Sequence, residues 1–110
     1  MSDQSVIVYF QFTGDDFEPL YTLEDELATV IDDAGAGEYD GHEVALLDGN
    51  DGFLFMSGAD ADKLFAVIKP VLERCLLMAG AEATLRHGSP DDPAARETHV
   101  MITTTGTPAA

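Results

Sequence analysis

Between Met1 and Asp62 the chain has no lysine and no arginine. That stretch holds sixteen Asp or Glu, and from Lys63 onward five bases meet five acids, so the whole formal charge of −16 arises in the first part. Binding nucleic acid through its phosphates requires clustered cations, and five scattered bases in a field of this sign repel DNA, RNA and anionic membranes. A basic protein surface is the partner this charge favours. Tryptophan is absent, and the one cysteine, Cys75, stands among Leu72, Leu76 and Leu77. It cannot form an intramolecular disulfide and reads as a small apolar core residue. No run approaches the roughly twenty apolar residues that span a bilayer. The acidic start at Asp3 lacks the basic region of a secretory signal, so a cytoplasmic location is expected.

What is present suits a folded domain. With 45% apolar residues in 110, the composition predicts one two-layered domain over residues 1–103 and a disordered tail over 104–110. Ser5 to Phe12 is β-branched and aromatic, without Gly or Pro, and predicts a central strand buried on both faces. After a turn-rich link, Leu20, Leu23, Leu27, Val30, Ile31 and Ala34 recur at helical spacing, with Gly35 placed to close the helix in the left-handed conformation. Gly37 to Gly41 reads as a loop. His42 to Leu47 and Gly52 to Met56 read as two strands of a hairpin around Asp48-Gly49-Asn50-Asp51. Asp60 caps the next helix, whose stripe of Leu64, Ile68, Val71, Leu72 and Cys75 keeps its phase past Pro70, predicting one kinked helix that Gly80 ends. Ala81 to His87 alternates as a fourth strand, and Thr98 to Thr103 suits a short fifth.

The order strand, helix, strand, strand, helix, strand is that of the α+β ferredoxin-like fold, βαββαβ. Right-handed crossovers place two helices on one face of a four-stranded antiparallel sheet. The other face then needs a cover, because residues 6 to 12 show no polar alternation. A homodimer partner, the C-terminal segment and a ligand are the three alternatives.

Sites for chemistry are scarce. His42, His87 and His99 show no zinc-binding spacing, and Asp48 to Gly52 departs from a calcium loop at its fifth and twelfth positions, so no metal and no cofactor is expected. Acylphosphatases of this topology bind an anion in the first strand-to-helix loop, where this chain has Asp15, Asp16 and Glu18. Three carboxylates there repel phosphate. No serine or cysteine nucleophile is recognisable. The candidate binding residues are acids of the first helix and loops, Asp15, Asp16, Glu24, Asp25, Glu38 and Asp40, with Phe17 and Tyr39 as apolar anchors. Against this stands the plainer reading that Tyr39 folds back onto the core.

The loop Gly37 to Gly41, the helix start Gly58-Ala59-Asp60-Ala61-Asp62 with Pro70 beyond it, and Ala83-Thr84-Leu85-Arg86-His87-Gly88 together resemble small bacterial domains of unassigned function. Glu38-Tyr39-Asp40-Gly41, the acidity and the ferredoxin-like order also resemble acidic protein regulators of ribonuclease E. That second resemblance implies action by binding to an enzyme, although their long acidic tail is missing here. The leading expectation is a non-catalytic acidic regulator or immunity-like module that engages a basic protein surface. The alternative is a small dimeric enzyme or small-molecule binder with a pocket on the open sheet face, lined by Tyr9, Gln11 and the hairpin. A third account takes the acidity as adaptation to high salt, since thirteen aspartates accompany two lysines.

Overall fold

Val6, Val8, Phe10 and Phe12 lie on one side of the first strand and are all but inaccessible, while Ser5, Ile7, Tyr9 and Gln11 lie on the other. This alternation, two residues per repeat, organises the whole molecule. The computed structural model describes residues 4–12, 17–45, 51–89 and 91–103. Along the chain these form β1 (Gln4–Gln11), α1 (Glu18–Ala34), β2 (Glu38–Val44), β3 (Asp51–Gly58), α2 (Ala61–Glu73), a short 3-10 turn (Leu76–Met78), β4 (Glu82–Arg86) and β5 (Glu97–Met101). The strands join in the order β2-β3-β1-β4-β5, every neighbouring pair antiparallel. The two helices cover one face.

Register sets what each face contains. Val6 pairs with Met56 and Leu85, and Val8 with Leu54 and Ala83, so the three central strands turn apolar residues toward the helices. Phe10 faces Gly52, where a Cβ would stand 2.5 Å from its ring. The missing side chain is what admits the aromatic ring. From above, α1 contributes Leu20, Leu23, Leu27 and Ile31, and α2 contributes Ala61, Leu64, Phe65, Ile68, Val71 and Leu72, all buried. Each large side chain so buried stabilises the fold by about 1.5–3 kcal/mol relative to exposure.

Both helix ends anticipated at Gly35 and Asp60 are present. Gly35 takes φ 59° and ψ 33°, its N–H donating to the Asp32 carbonyl at 3.1 Å, and the Asp60 carboxylate accepts from the N–H groups of Asp62 and Lys63. Two other expectations need correction. The second helix stops at Glu73, one turn beyond Pro70, and Gly80 closes the separate 3-10 turn instead. Proline has no N–H to donate to the Ala66 carbonyl, and beyond it the Arg74 N–H is shared between Pro70 and Val71 carbonyls. That sharing marks the helix end.

Gly37 to Gly41 is likewise no loop. From Glu38 the chain pairs with β3, with a bulge between Tyr39 and Gly41 that absorbs Asp40. Gly37 is pressed so close to β3 that a Cβ would fall 2.0 Å from the Ser57 carbonyl oxygen. Pairing therefore starts as soon as the chain leaves this contact. The hairpin turn at residues 46–50 and the tail at 104–110 lie outside the described residues. β5 is present, and it lengthens the sheet beside β4 without covering its face. No described helix is long and apolar enough to cross a membrane.

Candidate functional site

The expected binding residues fall into separate places. Asp15 and Asp16 lie outside the described residues. Phe17, at the start of α1, packs against Phe12 and Tyr21 with ring centroids 4.6 and 5.8 Å apart, which makes it part of the core margin more than a projecting anchor. Asp25 is exposed on α1. Glu38 is exposed at the start of β2, where it lines an open groove of about 520 Å³ with Thr29, Asp32, Asp33 and Tyr39.

Glu24 and Tyr39 are brought together. The Tyr39 hydroxyl donates to Glu24 Oε2 at 2.6 Å, and His42 Nδ1 lies 2.8 Å from the same oxygen. An ionised carboxylate only accepts, so Nδ1 carries the hydrogen of that bond and Nε2 is left as the imidazole's second nitrogen. Burial, then the hydrogen bond to Glu24 and its negative charge, push the Tyr39 phenol well above its ordinary range. This cluster clamps α1 to the edge strand. Of the two readings of Tyr39, the ring follows the one in which it folds back onto the core, because the bulge turns it beneath α1.

Asp40 goes to the opposite face, where it accepts from the Ser57 hydroxyl at 2.8 Å. On that uncovered side the registers align Ile7 with Phe55 and Thr84, and Tyr9 with Phe53 and Glu82. The Tyr9 and Phe53 rings meet at 5.4 Å, and Phe53 and Phe55 lie 6.2 Å apart at 19° to one another. Met101, 60% exposed on the same face at the far edge, is separated from Tyr9 by Glu82. Around the aromatic rings stand Asp40 and Glu43 from β2, Asp51 from β3, Glu82 from β4 and Glu97 from β5. Asp51 is fixed by the Tyr9 hydroxyl at 2.7 Å and the Gln11 amide at 3.0 Å.

Positive charge on the surface is largely matched within the chain. Arg86 reaches Glu97 at 3.0 Å, Lys69 reaches Glu73 at 2.8 Å and Arg74 reaches Glu26 at 3.4 Å. The acids therefore dominate the field outside. Among the described residues no three or more His, Cys, Asp or Glu are grouped to hold a metal ion. A second groove, of about 230 Å³ near Gly37, Gly58 and Lys63, lies away from the open face like the first.

Tyr9, Gln11 and the hairpin are the lining expected of a pocket on this face, but Phe53 and Phe55 are not singled out within the hairpin by the sequence. The signal was the alternation of Asp51, Phe53, Phe55 and Ser57 with Gly52, Leu54 and Met56. It could not be interpreted without knowing which strand lay beside it.

Among solved structures, a de novo designed protein with ferredoxin fold, determined by solution NMR, aligns over 100% of this chain and 93% of its own, with a TM-score of 0.50 and 19% sequence identity. The fold is ferredoxin-like. At this identity the likeness concerns the fold alone, and the designed protein's name states no activity. No family model matches the chain, and neither does any curated protein. In this ferredoxin-like domain, among the described residues, both helices lie on one sheet face and no helix covers the face that carries Tyr9, Phe53 and Phe55.

Proposed function

We propose that this protein is a non-catalytic acidic binding module, a regulator or immunity-like protein, that docks a basic protein surface on its open sheet face. The supporting observation is the aromatic band of Tyr9, Phe53 and Phe55 inside a ring of carboxylates. An apolar centre with a charged rim is the usual anatomy of a protein interface: the centre supplies affinity, and the rim supplies steering and partner choice. A second copy of the chain suits this face poorly, since each carries −16 and would set carboxylates against carboxylates. A cytoplasmic location and the manner of the ribonuclease E regulators, which Glu38-Tyr39-Asp40-Gly41 resembles, belong to the same proposal.

The test is affinity capture with identification of the partner, followed by direct kinetics. The association rate is expected to fall about tenfold or more between low and half-molar salt. A Phe53→Ser, Phe55→Ser double variant that keeps its circular dichroism spectrum should lose the partner. Salt-indifferent association, or a partner that still binds the double variant, would reject the reading. Sedimentation equilibrium of the protein alone distinguishes a homodimer formed through the same face.

A further inference from the structure

We propose that the open face seats an arginine side chain of the partner in a niche over Gly41, against the Phe55 ring and between the carboxylates of Asp40 and Glu43. This rests on the basic-partner reading and specifies its chemistry. In the β2-β3 register Gly41 is opposite Phe55 and Glu43 is opposite Phe53. On its other side Phe55 is flanked by Ile7 of β1. One flank of the ring is thus filled by a side chain, and the other faces a glycine. Among the described residues other than its chain neighbours, nothing stands within 4 Å of where a Gly41 Cβ would be.

The bulge creates this arrangement. It places Asp40 beside Gly41 on the open side, where the Ser57 hydroxyl holds its carboxylate at 2.8 Å, and Gly41 takes φ 118°, in the region that favours glycine. The register thus sets the Gly41 backbone beside Phe55, with Asp40 and Glu43 on either side of it along β2. A guanidinium is planar and weakly hydrated, so it can stack on the ring while its five donors reach both carboxylates. A lysine ammonium is a compact, strongly hydrated charge that gains the attraction without the stacking. An apolar side chain would fit the space but leave two carboxylates desolvated without partners. From a second copy, the base this face offers is Arg86, already held by Glu97.

The experiment titrates the ¹⁵N-labelled protein with two probe peptides, acetyl-Gly-Arg-Gly-Arg-Gly-amide and its lysine counterpart, at matched salt. The expected result is amide shifts centred on Gly41, Phe53 and Phe55, with the arginine peptide bound at least about fivefold more tightly. Phe55→Leu should bring the arginine peptide to the lysine level, and Glu43→Gln should weaken both peptides but the arginine peptide more, because its donors reach both carboxylates. The second variant changes only an exposed side chain and keeps the test valid if the first fails to fold. Asp33→Asn on α1 should affect both peptides equally. Equal affinity for the two peptides, or shifts centred on α1, would overturn the niche and leave the basic-partner reading standing. Absence of binding by both would overturn the two together. Concentration-dependent shifts at Gly41 and Phe55 without peptide would assign the niche to a second copy and reject the proposal.

Discussion

The Tyr39 hydroxyl donates a 2.6 Å hydrogen bond to Glu24, joining residues fifteen positions apart and fastening α1 to the edge strand β2. Glu24 is only 16% exposed in its side chain, and its Oε2 also meets His42. The pair therefore shows how a chain with 21 Asp and Glu uses one of them structurally. Two residues whose charge and aromaticity suit a recognition surface are spent on holding the fold.

Removing the donor should be measurable. Tyr39→Phe is expected to lower stability by about 1–2 kcal/mol in urea denaturation, as loss of a hydrogen bond to a charged, partly buried group does. The pH dependence has a definite sign. The folded-state phenol is raised above the ordinary value of 10.0, so its contribution is complete below pH 10 and declines as pH rises beyond it. Wild type should thus lose more stability between pH 9 and pH 11 than Tyr39→Phe does. Equal losses would show that the phenol is not held neutral by this site.

At the start of α2, Asp60→Ala removes the acceptor for the N–H groups of Asp62 and Lys63 at 3.0 and 3.3 Å. Thermal or chemical unfolding should report a loss of about 1 kcal/mol. Asp60→Asn, which keeps a capping oxygen, should recover most of it.

Two glycines separate a soft contact from a hard one. A Cβ at Gly52 would meet the far end of the Phe10 ring, whereas one at Gly37 would meet the Ser57 carbonyl oxygen at 2.0 Å with φ at +146°. Gly52→Ala is expected to cost about 1–3 kcal/mol through overpacking. Gly37→Ala should cost more than that and disturb the β2-β3 amide signals, because backbone must move. A reversed ranking would place the tighter packing at the ring.

Screening should stabilise the fold. With a charge of −16, the melting temperature is expected to rise from low to molar salt as self-repulsion weakens. A steep rise continuing at molar concentrations would support the high-salt account of the composition. A flat response would remove that account and leave partner recognition as the reason for the acids.

Much of the architecture is legible along the chain. Leu20, Leu23, Leu27 and Ile31 announce α1 by their spacing, Gly35 and Asp60 announce helix boundaries by their conformational and capping chemistry, and the order of elements implies the sheet. Local signals fail where a distant contact decides. Gly37 to Gly41 has loop composition, yet Gly37 lies against Ser57 and Tyr39 is fastened to Glu24, so the segment becomes an edge strand. Pro70 leaves the apolar phase intact but ends the helix within a turn, because phase records burial and not backbone hydrogen bonding.

What the sequence determined by itself is the charge distribution, the helix stripes and the strand order, all of which follow from residue type and spacing. Which acids are spent and which are displayed follows from contacts between distant segments. Ser5 to Phe12 reads as buried on both faces because Ile7 and Tyr9 are apolar in type. The helices cover only the face that carries Val6, Val8, Phe10 and Phe12, and Tyr9 is left 36% exposed. Cross-strand register then sets Phe53 and Phe55 beside Tyr9 and Ile7, and a one-residue bulge turns Asp40 to their side while Tyr39 goes beneath α1. In a pleated sheet one residue of register reverses the face of every side chain beyond it, and that relation between strands is absent from either strand alone.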